Sequence, residues 1–103
     1  MVIVNNDNYY DVVLNSDKLV VADFYADWCG PCRVLGPVLE GLEANNPDVV
    51  FVKIDIDDAG DIPIKNGIRS VPTVLFFKDG KEVDKSLGSV PAKSIQGKID
   101  AVK

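Results

Sequence analysis

Leu19 to Ala26, read as Leu-Val-Val-Ala-Asp-Phe-Tyr-Ala, is the segment that most narrows the architectures open to this chain. It is a nearly unbroken apolar run, rich in valine and aromatics and too short for a helix, which fits a strand buried on both faces. Such a strand needs neighbours on both sides and covering layers above and below, so it belongs in the middle of a sheet. Val49–Ile56 alternates partly and reads as a second central strand. Met1–Val4 is a short apolar strand, after which Asn5-Asn6-Asp7 offers capping side chains to a helix carrying Tyr10, Val13 and Leu14. After Pro31, Val34, Leu35, Val38, Leu39 and Leu42 form a stripe of helical period, predicting a helix to about Asn45 that Pro47 closes. Pro37 removes a backbone donor inside that helix and predicts a kink, while Gly36 and Gly41 each cost ~1 kcal/mol of helix propensity, so packing must hold it.

The second half adds the edge of the sheet. Asp57–Lys65 is a short, weak helical segment broken by Gly60 and Pro63. Thr73–Phe77 and Glu82–Leu87 flank Lys78-Asp79-Gly80-Lys81, and Asp-Gly between two strand-like runs predicts a hairpin. Pro91 suits the first turn of a last helix with Ile95, Ile99 and Val102 on one face. Strand-helix-strand units imply parallel pairing with right-handed crossovers, and the hairpin adds an antiparallel edge. The predicted class is α/β: a central mixed sheet of about five strands flanked by about four helices, in a single domain spanning 1–103. A chain of 103 residues with 47% hydrophobic content can bury one core and not two. The formal charge of −5, without a Lys/Arg cluster, disfavours nucleic acid and anionic membrane surfaces and leaves proteins as partners. No apolar stretch approaches the ~20 residues that cross a bilayer, and Met1–Asn6 lacks the basic and apolar regions of a secretory signal. The expectation is a soluble, cytoplasmic protein.

Trp28-Cys29-Gly30-Pro31-Cys32 falls between the buried strand and the long helix. Cys29 is then at the helix start and Cys32 one turn inside, where the two sulfurs can meet. Unpaired N–H groups and the partial positive charge of the helix start stabilise a thiolate at Cys29, making it the nucleophile. Cys32 is better suited to wait as a thiol and attack the mixed disulfide that Cys29 forms. Two weaker readings stand beside this one. A zinc site needs four ligands, and the chain has two cysteines and no histidine. A purely structural bridge over so short a loop would constrain little of the unfolded chain. Gly30 allows close backbone approach, and Pro31 stiffens the turn without adding a cationic neighbour, which predicts a reducing pair. Trp28 is either a core aromatic or an amphipathic ring that covers the dithiol and touches substrates. Asp23 is an acid inside the most apolar strand. Burial would raise its pKa, and a shift of ~2 to 3 units costs about 3 to 4 kcal/mol at neutral pH, which points to a function unless the side chain turns to solvent.

The string Ala22-Asp23-Phe24-Tyr25-Ala26-Asp27-Trp28-Cys29-Gly30-Pro31-Cys32, followed by Val71-Pro72-Thr73 and Phe77-Lys78-Asp79-Gly80, resembles the thioredoxin family across essentially the whole chain. The resemblance implies the thioredoxin fold and disulfide reductase activity on disulfide-containing substrate proteins. It also implies no bound cofactor or metal beyond a redox-active Cys29–Cys32 disulfide, re-reduced by a thioredoxin reductase with electrons from NADPH or ferredoxin, in a monomer. By the same resemblance Asp23 is the buried proton acceptor for Cys32, acting through a water, and Lys53 is the lysine near it; the alternative for Lys53 is an ordinary surface charge. Pro72 is implied to be cis, although nothing local demands it. The Val71 backbone would pair with a substrate strand beside it. Gly88 matches a glycine of the family's apolar contact surface, or is a plain strand-end glycine. Pro37 matches the family's helix kink. The chain departs from the family at Asn66, where an aromatic is usual, at Pro63, and at Gly36 and Gly41, which leaves the packing around the third helix open.

Overall fold

The computed structural model describes residues 1–103 and places the apolar run at the centre of a sheet. Strand β1 (Val2–Ile3) pairs in parallel with β3 (Val50–Asp55), which pairs in parallel with β2 (Val20–Tyr25). On its other side β2 is antiparallel to β4 (Thr73–Lys78), which carries β5 (Lys81–Leu87) at the edge. The order β1-β3-β2-β4-β5 makes a mixed five-stranded sheet with β2 in the middle. Side chains alternate across a strand, so β2 feeds two cores at once. Val20, Ala22 and Phe24 pack with Val52, Ile54, Leu75 and Phe77 on one face, under Val13 and Ile62. Val21 packs with Phe51, Val74 and Phe76 on the other, under Leu35, Leu39, Ile95 and Ile99. Asp23 shares the face of Val21, beneath the long helix.

That helix, α1 (Gly30–Asn45), runs unbroken through Gly36, Pro37 and Gly41. Its buried side chains are Cys32, Leu35, Leu39 and Leu42, one every three or four residues, and burying this stripe supplies what propensity lacks. Val34, counted on the stripe from sequence, is 62% exposed, because only the sector of Cys32, Leu35, Leu39 and Leu42 meets apolar surface. The C-terminal end is tied by Asn46, whose buried Nδ2 donates to the Leu42 carbonyl and to Gln96 Oε1 at 2.7 Å, while Gln96 Nε2 donates back to Asn46 Oδ1. Gln96 lies on α3 (Ala92–Val102), so this clasp joins the two helices that cover one face.

The first helix expected from sequence is a single wide turn, Tyr10–Leu14, closed by the Asn15 N–H on the Tyr10 carbonyl. Asn5 does not cap it. Its Oδ1 accepts from the Asp7 N–H and its own N–H donates to Asn8 Oδ1, which folds the preceding loop instead. Tyr10 is 63% exposed and Val13 alone is fully buried, because so short a turn presents only one residue to the sheet. Pro63, taken from sequence as an interruption, sits in the first turn of α2 (Ile62–Lys65), where its missing N–H has no helical partner to lose. Asn66 fills the place of the expected aromatic with hydrogen bonds: its Nδ2 donates to the Ile62 carbonyl and to the Tyr9 hydroxyl. The hairpin of β4 and β5 turns at Asp79 (φ 53°) and Gly80 (φ 78°), the backbone that favours Asp-Gly. A side chain at Gly80 would also meet the Leu14 carbonyl at 2.8 Å. No helix is long and apolar enough to cross a membrane.

Candidate active site

The loop leaving β2 ends at Cys29, which is extended (φ −90°, ψ 112°) and forms the N-cap of α1. Ala26 fixes the loop by accepting the Cys29 N–H at 3.1 Å. Pro31 lies in the first turn, where a fixed φ suits the helix and no donor is lost. Cys32 then falls one turn in, joined to Cys29 by a disulfide. The Cys32 N–H donates to Cys29 Sγ at 3.2 Å, so one of the unpaired donors of the helix start is aimed at the leading sulfur. Both cysteines are nearly covered, 4% and 6% exposed, and pack with Ala26, Tyr25, Ile56 and Val71. Gly30 is exposed, with open space where a side chain would begin.

Val71 and Pro72 close over the pair from the start of β4. The Val71 carbonyl oxygen lies 3.6 Å from Cys29 Sγ, the Val71–Pro72 peptide is cis, and Pro72 is buried. Pro72 is held in turn by Gly88, whose N–H donates to the Pro72 carbonyl at 2.9 Å. Gly88 has φ 80° with nothing within 4 Å of a built Cβ. Backbone conformation, and not crowding, therefore asks for glycine there.

Trp28 is 68% exposed, which rules out the core-aromatic reading. Its Nε1 donates to Asp57 Oδ2 at 2.9 Å, pinning the ring beside Cys29. Trp28, Ile56, Pro63, Ile68 and Val71 line a groove of about 220 Å³ with Arg69 and Ser70 at its rim. Asp57 was not singled out from the sequence; its only signal is its place just after β3, at the carboxyl end of a parallel strand, where ligands meet open α/β sheets. Arg33 was missed likewise. Its Nη2 donates to the Asp27 carbonyl at 2.8 Å and braces the loop ahead of the dithiol.

Asp23 is 4% exposed, and its Oδ1 has no hydrogen-bond partner. Burial pushes its pKa from 3.8 up to about 6, against a smaller opposing pull from Lys53. Lys53 stands beside Asp23 in the register of β2 and β3, yet its Nζ lies over the Tyr25 ring, 4.9 Å from the centroid. Lys53, Tyr25, Cys32, Arg33, Gly36 and Pro37 line a second cleft of about 220 Å³ that opens on the Cys32 side of the disulfide. The fold thus gathers Cys29, Cys32, Trp28, Val71, Pro72 and Gly88 at one surface, with Lys53 in the cleft beside Cys32 and Asp23 buried next to Lys53 in the sheet. No group of three or more His, Cys, Asp or Glu side chains is arranged to hold a metal ion.

A buried dithiol at a helix start, with one sulfur accepting a backbone N–H and an apolar groove alongside, can exchange electrons with another disulfide. Comparison with known proteins gives the same answer. The family model described as Thioredoxin matches residues 1–101. Thioredoxin of Mycoplasmoides gallisepticum is 45% identical over 93 residues, covering 90% of this chain and 93% of its own. Thioredoxin-1 of Saccharomyces cerevisiae is 47% identical over 83 residues, 81% of each chain, and thioredoxin of Chlamydia muridarum 48% over 86 residues, 84% and 82%. The chain belongs to the thioredoxin family and is a thiol-disulfide oxidoreductase with protein disulfide reductase function.

Proposed function

We propose that the reduced protein uses the Cys29 thiolate to attack a disulfide of a substrate protein, and that Cys32 resolves the resulting mixed disulfide. The observation that carries this assignment is the Cys32 N–H aimed at Cys29 Sγ at 3.2 Å, which favours negative charge on Cys29 over Cys32. In the first step a Cys29–substrate S–S bond forms and the substrate's own S–S bond breaks, releasing one thiolate. Cys32 then loses its proton and attacks Cys29 Sγ; the mixed disulfide breaks, the second substrate thiolate leaves, and two electrons have passed to the substrate. Asp23 takes the Cys32 proton, a role its burial and its pKa of about 6 support, because a base works best when its pKa lies near the working pH. Lys53 moderates that carboxyl.

The groove beside Trp28 receives an extended segment of the substrate, with the Val71 backbone pairing with it as an added strand. Trp28, Gly30, Pro31, Pro72 and Gly88 form the surrounding contact surface. A thioredoxin reductase resets the pair with electrons from NADPH or ferredoxin, and the chain works as a monomeric single domain in the cytoplasm. Incubating Cys32→Ser with a disulfide-containing protein tests the order of attack. The expected product is a stable Cys29–substrate conjugate, which Cys29→Ser does not form. Conjugates with Cys29→Ser and none with Cys32→Ser would reverse the roles of the two thiols.

A further inference from the structure

Asp23 and Lys53 are adjacent on neighbouring parallel strands, a position from which a lysine reaches a carboxylate easily. They do not pair. Asp23 Oδ1 has no partner, Lys53 is in none of the four ion pairs of the molecule, and the ammonium rests on the face of Tyr25 instead. Tyr25 is two residues from Asp23 on the same face of β2, half-buried, and lines the cleft that also holds Cys32 and Lys53. We propose that Tyr25 is a positioning residue: its ring holds the Lys53 ammonium away from the buried Asp23 carboxyl, leaving that carboxyl a proton acceptor instead of half of an ion pair. The proposal rests on the reading of Asp23 as the acceptor for Cys32.

The surroundings favour this division. Among charged groups, only Lys53 on β3 pulls on Asp23. Strand β4 presents Val74 beside it, and α1 covers that face with Cys32 and Leu35. The one cation of α1 near the cleft, Arg33, is spent on the Asp27 carbonyl. Asp55 on β3, Asp27 after β2, Asp23 itself and Asp58 after β3 all act on Tyr25, so its ring stands in a negative field that favours a cation over its face. A cation over a tyrosine face gains quadrupole attraction, more so when partly desolvated. A cation in contact with an aspartate lowers its pKa by ~1 to 3 units, which would weaken the base that Cys32 needs.

The test is a carboxyl-carbon NMR titration of Asp23 in the oxidised protein, for wild type, Tyr25→Phe and Tyr25→Leu, each also combined with Lys53→Gln. Tyr25→Phe keeps the aromatic face and should leave the Asp23 midpoint near that of the wild type. Tyr25→Leu should lower it by ~1 unit or more, and the fall should vanish in the Lys53→Gln background. An unmoved midpoint in Tyr25→Leu overturns the proposal. So does an equal fall without Lys53, since water entering the cleft would then be the cause. Tyr25→Val serves the same comparison if Tyr25→Leu does not fold. The titration reports where Lys53 sits whether or not Asp23 serves Cys32. The pH profile of mixed-disulfide resolution in Asp23→Asn tests that role separately, and an unchanged profile would remove the acceptor reading while leaving the titration result intact.

Discussion

Replacing Asp23 by alanine should stabilise the protein at neutral pH and give no gain at about pH 4. The carboxyl has a pKa of 3.8 before it is buried and about 6 in the fold. Between those values the folded state binds more protons than the unfolded state, so stability falls as pH rises through that window and the full penalty is present above it. A rise of about two units, at ~1.4 kcal/mol each, gives a penalty of about 3 kcal/mol at pH 7, about half of that at pH 5 and about a fifth of it at pH 4. Alanine removes the penalty and leaves a small gap that costs roughly 1 kcal/mol at any pH. The expected net gain is about 2 kcal/mol at pH 7, or on the order of 10 °C in Tm, turning to a loss of about half a kcal/mol near pH 4. Urea unfolding of the oxidised protein across this range, with the slope m unchanged between variants, measures it directly. A gain independent of pH would mean that charge is not the cause. A loss at pH 7 would mean that the carboxylate has partners that compensate its burial, and would refute the reasoning.

Three further substitutions probe the frame around the site. Gly88→Ala should cost ~1 to 2 kcal/mol although no atom stands in the way, because φ of 80° is strained for any other residue; an unchanged urea midpoint would show that the backbone there relaxes freely. Gly41→Ala, on the exposed face of α1 with open space at the Cβ, should stabilise by ~0.5 to 1 kcal/mol in the same assay. Asp57→Ala removes the acceptor of the Trp28 indole and should leave stability within ~1 kcal/mol. It should also make the fluorescence of the single tryptophan more accessible to a soluble quencher; identical quenching would mean that packing alone fixes the ring.

The parts of the fold that were legible are those where burial is written into local spacing. The Leu19–Ala26 run could only be a covered central strand, the period of Leu35, Leu39 and Leu42 marked the inner side of α1, and Asp79-Gly80 specified the hairpin turn. Errors arose where a residue's surroundings come from a distant segment. Val34 fits the apolar period, but it lies beside the buried line of Cys32, Leu35, Leu39 and Leu42 and stays exposed. Tyr10–Leu14 carries apolar residues at helical spacing, yet Asn5 and Asn8 spend their side chains on the preceding loop and only one wide turn forms. Asn66 looked like a packing defect and is a hydrogen-bonding post for Tyr9, across 57 residues of sequence.

The site divides along the same line. Its reactive part is contiguous: a strand end, a cap and one turn of helix put two sulfurs together and aim an N–H at the first, so five adjacent letters contain the geometry. Its adjusting part is tertiary. The Trp28 clamp depends on Asp57, the support of Pro72 depends on Gly88, and the proton affinity of Asp23 depends on where a lysine from the next strand lays its ammonium. Sequence could show that Asp23 is an acid in apolar company, which fixes the direction of its shift. It could not show whether Lys53 would neutralise that acid, because the answer turns on a choice between a carboxylate and an aromatic face that both lie within reach of one flexible side chain. The sulfur pair can be placed from five residues, whereas, on the proposed reading, the ease with which Cys32 gives up its proton depends on how the Lys53 ammonium divides between Asp23 and Tyr25.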